Sequence, residues 1–134
     1  MRSNEFLVEY VSPADLHHVK QYVDTLYKQL GLNVKFGSHF RDRVNDLRLD
    51  KEDSIKIPIT AAEVSNLFVK IYKKYGSKIA KFGIDQEILL TDMISKINIP
   101  IRFEWDGDDE EIDMTTKTIM RKLHYSTPGP VLRA

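Results

Sequence analysis

The residues best suited to chemistry in this chain are His39 and Arg43, in the stretch Asn33 to Arg48, NVKFGSHFRDRVNDLR. Histidine takes and gives a proton near neutral pH, and the planar arginine fork holds a phosphate or carboxylate. Their spacing of four is one helical turn, so on a helix both side chains point the same way. That pairing suits metal-free cleavage of an RNA backbone, with a proton acceptor beside a phosphate clamp. The same spacing is common on plain amphipathic helices, so the elements around it decide what it means.

The chain has 134 residues, which suits one domain with one core, taken as 1–134. Hydrophobic residues make up 42% and charged residues 30%, a globular rather than disordered balance. No apolar run reaches membrane-spanning length, and MRSNEFLVEY lacks a signal-peptide core, so no membrane partner is expected. With no cysteine, disulfides, thiolate metal sites and cysteine nucleophiles are excluded, and a cytoplasmic location is the expectation. Net charge is zero, which argues against a protein that coats nucleic acid. The charges are nevertheless segregated. Lys70, Lys73, Lys74, Lys78 and Lys81 fall in an acid-free stretch. Asp106 to Asp113 carries six acids and no base, and Lys117, Arg121, Lys122 and Arg133 follow. Such segregation builds a basic face on a neutral protein, although a solvated helix or loop face is the blander reading of each run.

Ser12-Pro13-Ala14-Asp15 reads as a helix start, and apolar residues from Leu16 to Leu30 follow at helical spacing up to Gly31, giving a first helix over 13–30. A short extended piece, 33–36, leads to a second helix over 38–48 with the stripe Phe40, Val44 and Leu47. His39 and Arg43 fall on one flank of that stripe, where helix meets body, with Arg41 and Arg48 more exposed. Thr60 and Glu63 form a capping box for a third helix, which Gly76 is expected to end. The period then changes. Ile97 to Trp105 alternates apolar and polar, Asp106-Gly107 marks a hairpin, and the return strand spans 111–125. Ile119 and Met120 break the alternation of that strand, which calls for a bulge or a strand covered on both sides. An earlier strand is expected over 87–93, and the tail 126–134 is expected to be loosely attached. The fold class is α+β: N-terminal helices packed on a C-terminal antiparallel β-sheet.

A helix, a glycine, the strand residues Val34-Lys35-Phe36, His39 with Arg43, then Arg48 and the segment Val64 to Ile71 stand in that order before the sheet. This arrangement, over about 31–71, resembles the RegB-type endoribonucleases of T-even phages, within the wider RelE/ParE-like toxin fold. The resemblance implies metal-independent cleavage of single-stranded mRNA by attack of a ribose 2′-hydroxyl on the adjacent phosphate, with no cofactor. It gives His39 the place of the family's first functional histidine and Arg43 that of its companion arginine. The family's second histidine falls where this chain has Val69. His124 on the last expected strand is the candidate replacement. The alternative is a non-catalytic phage regulatory protein that binds RNA or a host protein on the same scaffold. If the chain is phage-encoded, the setting is the host cytoplasm.

Further candidates come from the basic runs. Lys117, Arg121 and Tyr125 are spaced to share one face of a strand, as a row for phosphates with Tyr125 stacking a base. Arg48, Lys70 and Lys74 would extend that RNA-binding surface. His17 and His18 read as exposed helix positions. Asp106 to Glu111 lacks the ligand alternation of a calcium loop, so no metal site is expected.

Overall fold

Pro13 opens the first helix because Ser12 accepts a hydrogen bond from the Asp15 backbone while the Asp15 carboxylate reaches back to the Ser12 N–H, a reciprocal cap. In a computed structural model, which describes residues 11–45, 58–122 and 125–134, helix α1 spans Pro13–Tyr27 and tightens into a 3₁₀ turn over Lys28–Leu30. Gly31 ends it at φ +80°, a backbone region that costs glycine nothing and other residues strain. Strand β1 follows at Leu32–Phe36, then the one-turn helix α2 at Phe40–Val44. The long helix α3, Ala61–Ile79, starts at the expected Thr60–Glu63 capping box. Gly76 does not end α3, which runs one further turn to Ile79. A lone glycine inside a helix costs only about 1 kcal/mol, and burial of Ile79 in the core outweighs that.

The remaining strands are β2 Glu87–Thr91, β3 Ile97–Asp106, β4 Glu111–Thr116, β5 Met120–Arg121 and β6 Val131–Arg133. Their order across the sheet is β1-β4-β3-β2-β6, with β5 beside β3. The class is α+β, and β2, β3 and β4 form the antiparallel meander read from the sequence. The sheet as a whole is mixed, because β1 runs parallel to β4 and β6 parallel to β2. Parallel neighbours need a crossover. The helical segments after β1 supply one, and the connection from β5 to β6 supplies the other. The 126–134 tail, expected to be loose, thus ends as an edge strand. Leu132 is fully buried, and Gly129 presses so close to β2 that a Cβ there would lie 1.9 Å from the Glu87 carbonyl oxygen.

Alternation assigns the two faces. Phe103, Ile101, Ile99 and Ile97 of β3, with Val34, Met114, Ile88 and Leu90, meet the helices. Val19, Val23 and Tyr27 of α1 and Val64, Leu67, Phe68 and Ile71 of α3 complete this core. Tyr27 is fully buried yet satisfied, because its hydroxyl donates to the Phe68 carbonyl at 2.7 Å. Burial first, then the charge of Tyr72, pushes its phenol well above the ordinary range. The opposite parity, including Lys35, Arg102, Glu104, Thr115 and Lys117, faces away from the helices.

Candidate nucleic-acid interface

The turn that carries His39 is fixed to the end of β4. The Gly37 N–H donates to the Thr116 carbonyl at 2.7 Å, and a Cβ on Gly37 would meet Lys117 Cγ at 3.1 Å. The turn closes when the Phe40 N–H donates to the Gly37 carbonyl at 3.0 Å. Phe40 then plunges into the core, stacked on Phe36 with ring centroids 4.5 Å apart, and Val44 follows one turn later. His39 is the residue before the first turn of α2, and its imidazole does not cap the helix. The side chain is 77% exposed, with Nδ1 3.9 Å from the equally exposed Asp42 carboxylate. An ion pair so open is worth little. Arg43, one turn on, is also exposed.

These two residues therefore share a side, but they stand out from the body rather than at its junction with the helix. The half-buried arginine is Arg41. Arg41 and Arg43 flank the Phe40–Val44 stripe at nearly equal angles, so the helical wheel cannot rank them and the surrounding structure does.

Lys117 lies on a β-bulge. Along β3 the chain moves four residues from Arg102 to Asn98, while the facing strand moves five, from Thr115 to Met120. The extra residue reverses the parity of everything beyond it. Lys117 stays on the open face, whereas Arg121 turns under the helices opposite Ile97. The expected row of Lys117, Arg121 and Tyr125 is therefore split. The Arg121 side chain is 7% exposed and donates to the Glu63 carboxylate and to the Pro58 and Ser95 carbonyls, each at 2.8 Å. Its surroundings give it a structural post rather than an RNA-facing one. Burial disfavours ionised Glu63, but hydrogen bonds from Arg121 and from Thr60 outweigh it and hold the carboxyl below its ordinary range.

Lys117 and Tyr125 do come together. Both line a groove of about 460 Å³ on the open face, with Glu87, Arg102, Glu104 and Thr115 along its floor and Thr127 on the segment that leads to β6. Arg102 is committed to its neighbours: Nη1 lies 2.9 Å from Glu87 and Nη2 3.3 Å from Asp85. The Glu104 carboxylate is 3.8 Å from Arg102 Nε, beyond hydrogen-bond reach. Arg102 and Glu104 were legible as the polar side of β3's alternation, but nothing in the sequence marked them as site residues.

Lys70 and Lys74 lie elsewhere, tying α3 to the β2–β6 side of the sheet. Lys70 Nζ is 3.6 Å from Asp92, and Lys74 Nζ donates to the Arg133 carbonyl at 3.0 Å. Arg48 and His124 fall outside the described residues. The acidic stretch forms the β3–β4 turn, where Lys35 bridges Asp106 at 3.1 Å and Asp113 at 3.2 Å. That turn is at the far end of β4 from Lys117, about 20 Å away by strand rise. Among the described residues no group of three or more His, Asp or Glu could hold a metal ion. Nor is any helix there long and apolar enough to cross a membrane. No family model, curated protein or solved structure matches the chain.

Proposed function

We propose that this protein is a metal-independent endoribonuclease acting on single-stranded mRNA in the cytoplasm of the cell that holds it. One observation carries the reading: the exposed His39–Arg43 turn is fastened through Gly37 to the end of β4 beside Lys117, which lines a groove on the sheet face away from the helices, although His39 and Arg43 themselves do not line it. His39 takes the proton of a ribose 2′-hydroxyl, and the freed oxygen bonds to the adjacent phosphorus. The bond from phosphorus to the 5′-oxygen breaks, leaving a 2′,3′-cyclic phosphate. The departing oxygen takes a proton from a second acid, the role the sequence reading gives to His124. Arg43 and Lys117 counter the extra negative charge of the pentavalent transition state. The RegB-like order of residues supports the same chemistry.

A second reading, a non-catalytic regulator that binds RNA or a host protein, is favoured by Val69, which stands where the resemblance would put a second histidine. Incubation of pure protein with mixed single-stranded RNA in EDTA separates the two. Discrete cuts that leave cyclic-phosphate ends are expected. Retention of RNA with no cuts would establish the second reading.

A further inference from the structure

We propose that the pocket where β2, β3 and β6 meet is a binding site for a compact polyanion, a diphosphate group either free or at the end of a small molecule. His39 and Arg43 do not line it, and the proposal stands independently of the ribonuclease reading.

Lys96, Lys122 and Arg133 all line this pocket, whose volume is about 280 Å³. None of the three side chains pairs with an acid among the described residues. Lys122 instead sits with Nζ 5.9 Å from the centroid of the Tyr125 ring, which also lines the pocket. The acid in the lining, Asp92, is already engaged. One of its oxygens accepts from the Ile94 N–H at 2.9 Å, and the other lies 3.6 Å from Lys70 Nζ. Three like charges gathered without a counter-charge repel one another, and an anion among them removes that repulsion.

The cations are held in place by a buried polar pair. Thr91 and Asn98 face each other across β2 and β3, and the Thr91 hydroxyl donates to Asn98 Oδ1 at 2.9 Å. The Asn98 amide nitrogen then donates to the carbonyls of Lys96, at 3.2 Å, and Lys122, at 3.0 Å. The Lys122 N–H donates to the same Lys96 carbonyl at 2.9 Å. Arg133 lies beside Thr91 in the parallel β2–β6 pairing. One buried pair thus fixes the backbone of both lysines, and its neighbour strand brings the arginine. Lys96 closes the β2–β3 turn at φ +67°, a conformation that glycine or asparagine adopts with less strain. The turn itself does not call for a lysine there.

Charge density decides which anion fits. A phosphodiester in a nucleic-acid chain carries one charge, and successive ones are spread along the strand. A single phosphate monoester brings about −1.5 to −2 at pH 7. Two linked phosphates come nearer to the three cations and keep their oxygens close together. Lysine meets phosphate as a point charge, and the Arg133 fork can take two oxygens at once. The pocket is smaller than the range of about 300–1,000 Å³ typical of whole small-molecule ligands, which suits an end group, with any attached ring against Tyr125.

The test titrates the full chain in EDTA with pyrophosphate, inorganic phosphate, citrate and a 5′-hydroxyl oligoribonucleotide, read by calorimetry and amide chemical shifts. Pyrophosphate is expected to bind most tightly, with shifts centred on Lys96, Asn98, Lys122 and Arg133. Lys96→Asn removes one cation and suits the positive φ. It should leave urea stability equal or higher while weakening pyrophosphate roughly ten- to a hundredfold, the scale of one hydrogen bond to a charged group. Arg133→Gln should weaken it on the same scale. Lys73→Gln, on the exposed side of α3 and outside the pocket, should change nothing. Absence of pyrophosphate binding, or an equal loss in Lys73→Gln, would overturn the site. Citrate binding as tightly as pyrophosphate would overturn its assignment to diphosphate. Tighter binding of the oligoribonucleotide at these same residues would also overturn it and make the pocket part of an RNA path.

Discussion

A single guanidinium, that of Arg121, holds three separated segments together: Pro58 before α3, Ser95 in the β2–β3 turn and Glu63 in the first turn of α3. Removing it leaves a part-buried carboxylate and two carbonyls without their donor. Arg121→Ala is therefore expected to cost about 2–3 kcal/mol in urea unfolding, toward the lower end for a buried pair because Glu63 is still one-third exposed. The same contact makes stability depend on pH. The folded-state pKa of Glu63 is lowered, so its contribution is in full force above the ordinary carboxylate value of about 4.3 and is lost as pH falls through the lower folded value. Glu63→Gln preserves a capping residue at that position. It should flatten the acid limb of the stability–pH curve, measured by denaturant midpoints, relative to wild type. The sequence showed Arg121 as a surface cation because strict alternation put it in register with Lys117. The contrary signal was present, since Ile119 and Met120 already break that alternation.

At the scale of elements, the bulge between β4 and β5 decides which side chains reach the groove and which support the core. Deleting Thr118 would remove the extra residue, turn Arg121 to the open face and turn Met120 inward. Loss of cooperative thermal unfolding is the expected outcome, read by circular dichroism. A deletion variant that melts as wild type does would show that the register is not set there. Capping boxes at Ser12 and Thr60, the strand alternation of Ile97 to Trp105 and the Asp106-Gly107 turn were all readable, because each is written in residues close in sequence. The parallel pairings of β1 and β6 were not. Partner choice between distant strands depends on the crossover path, which local pattern does not encode. Val131–Arg133 is also too short to show any period, although it carries a fully buried leucine.

Across the whole molecule, the helices seal one face of the sheet and the path to β6 borders the groove on the other, so the C-terminal segment is structural. Gly129→Ala would drive a Cβ into the Glu87 backbone and should cost about 1–3 kcal/mol or displace β6 outright. Leu132→Ala should cost about 2–5 kcal/mol. Urea unfolding checks both, and neutral effects would mean that β6 contributes little. The charge runs visible in the sequence resolve into opposite ends of one strand, the acidic turn at Asp106 and the bulge whose Lys117 lines the groove. His39 and Arg43 were legible as neighbours, but the seating of their turn against the end of β4 was not, because it depends on Gly37 meeting Thr116 through the β1–β4 pairing. Under the proposed function, this end of the sheet cuts RNA through His39. The most direct test compares wild type and His39→Ala for single-turnover cleavage of a single-stranded RNA in EDTA, with RNA affinity measured in parallel. Cleavage should fall by about 10²–10⁴-fold, the usual contribution of a general acid or base, while affinity, set mainly by phosphate contacts, changes little. Cleavage by His39→Ala at the wild-type rate, or RNA binding by both proteins with cuts by neither, would contradict it.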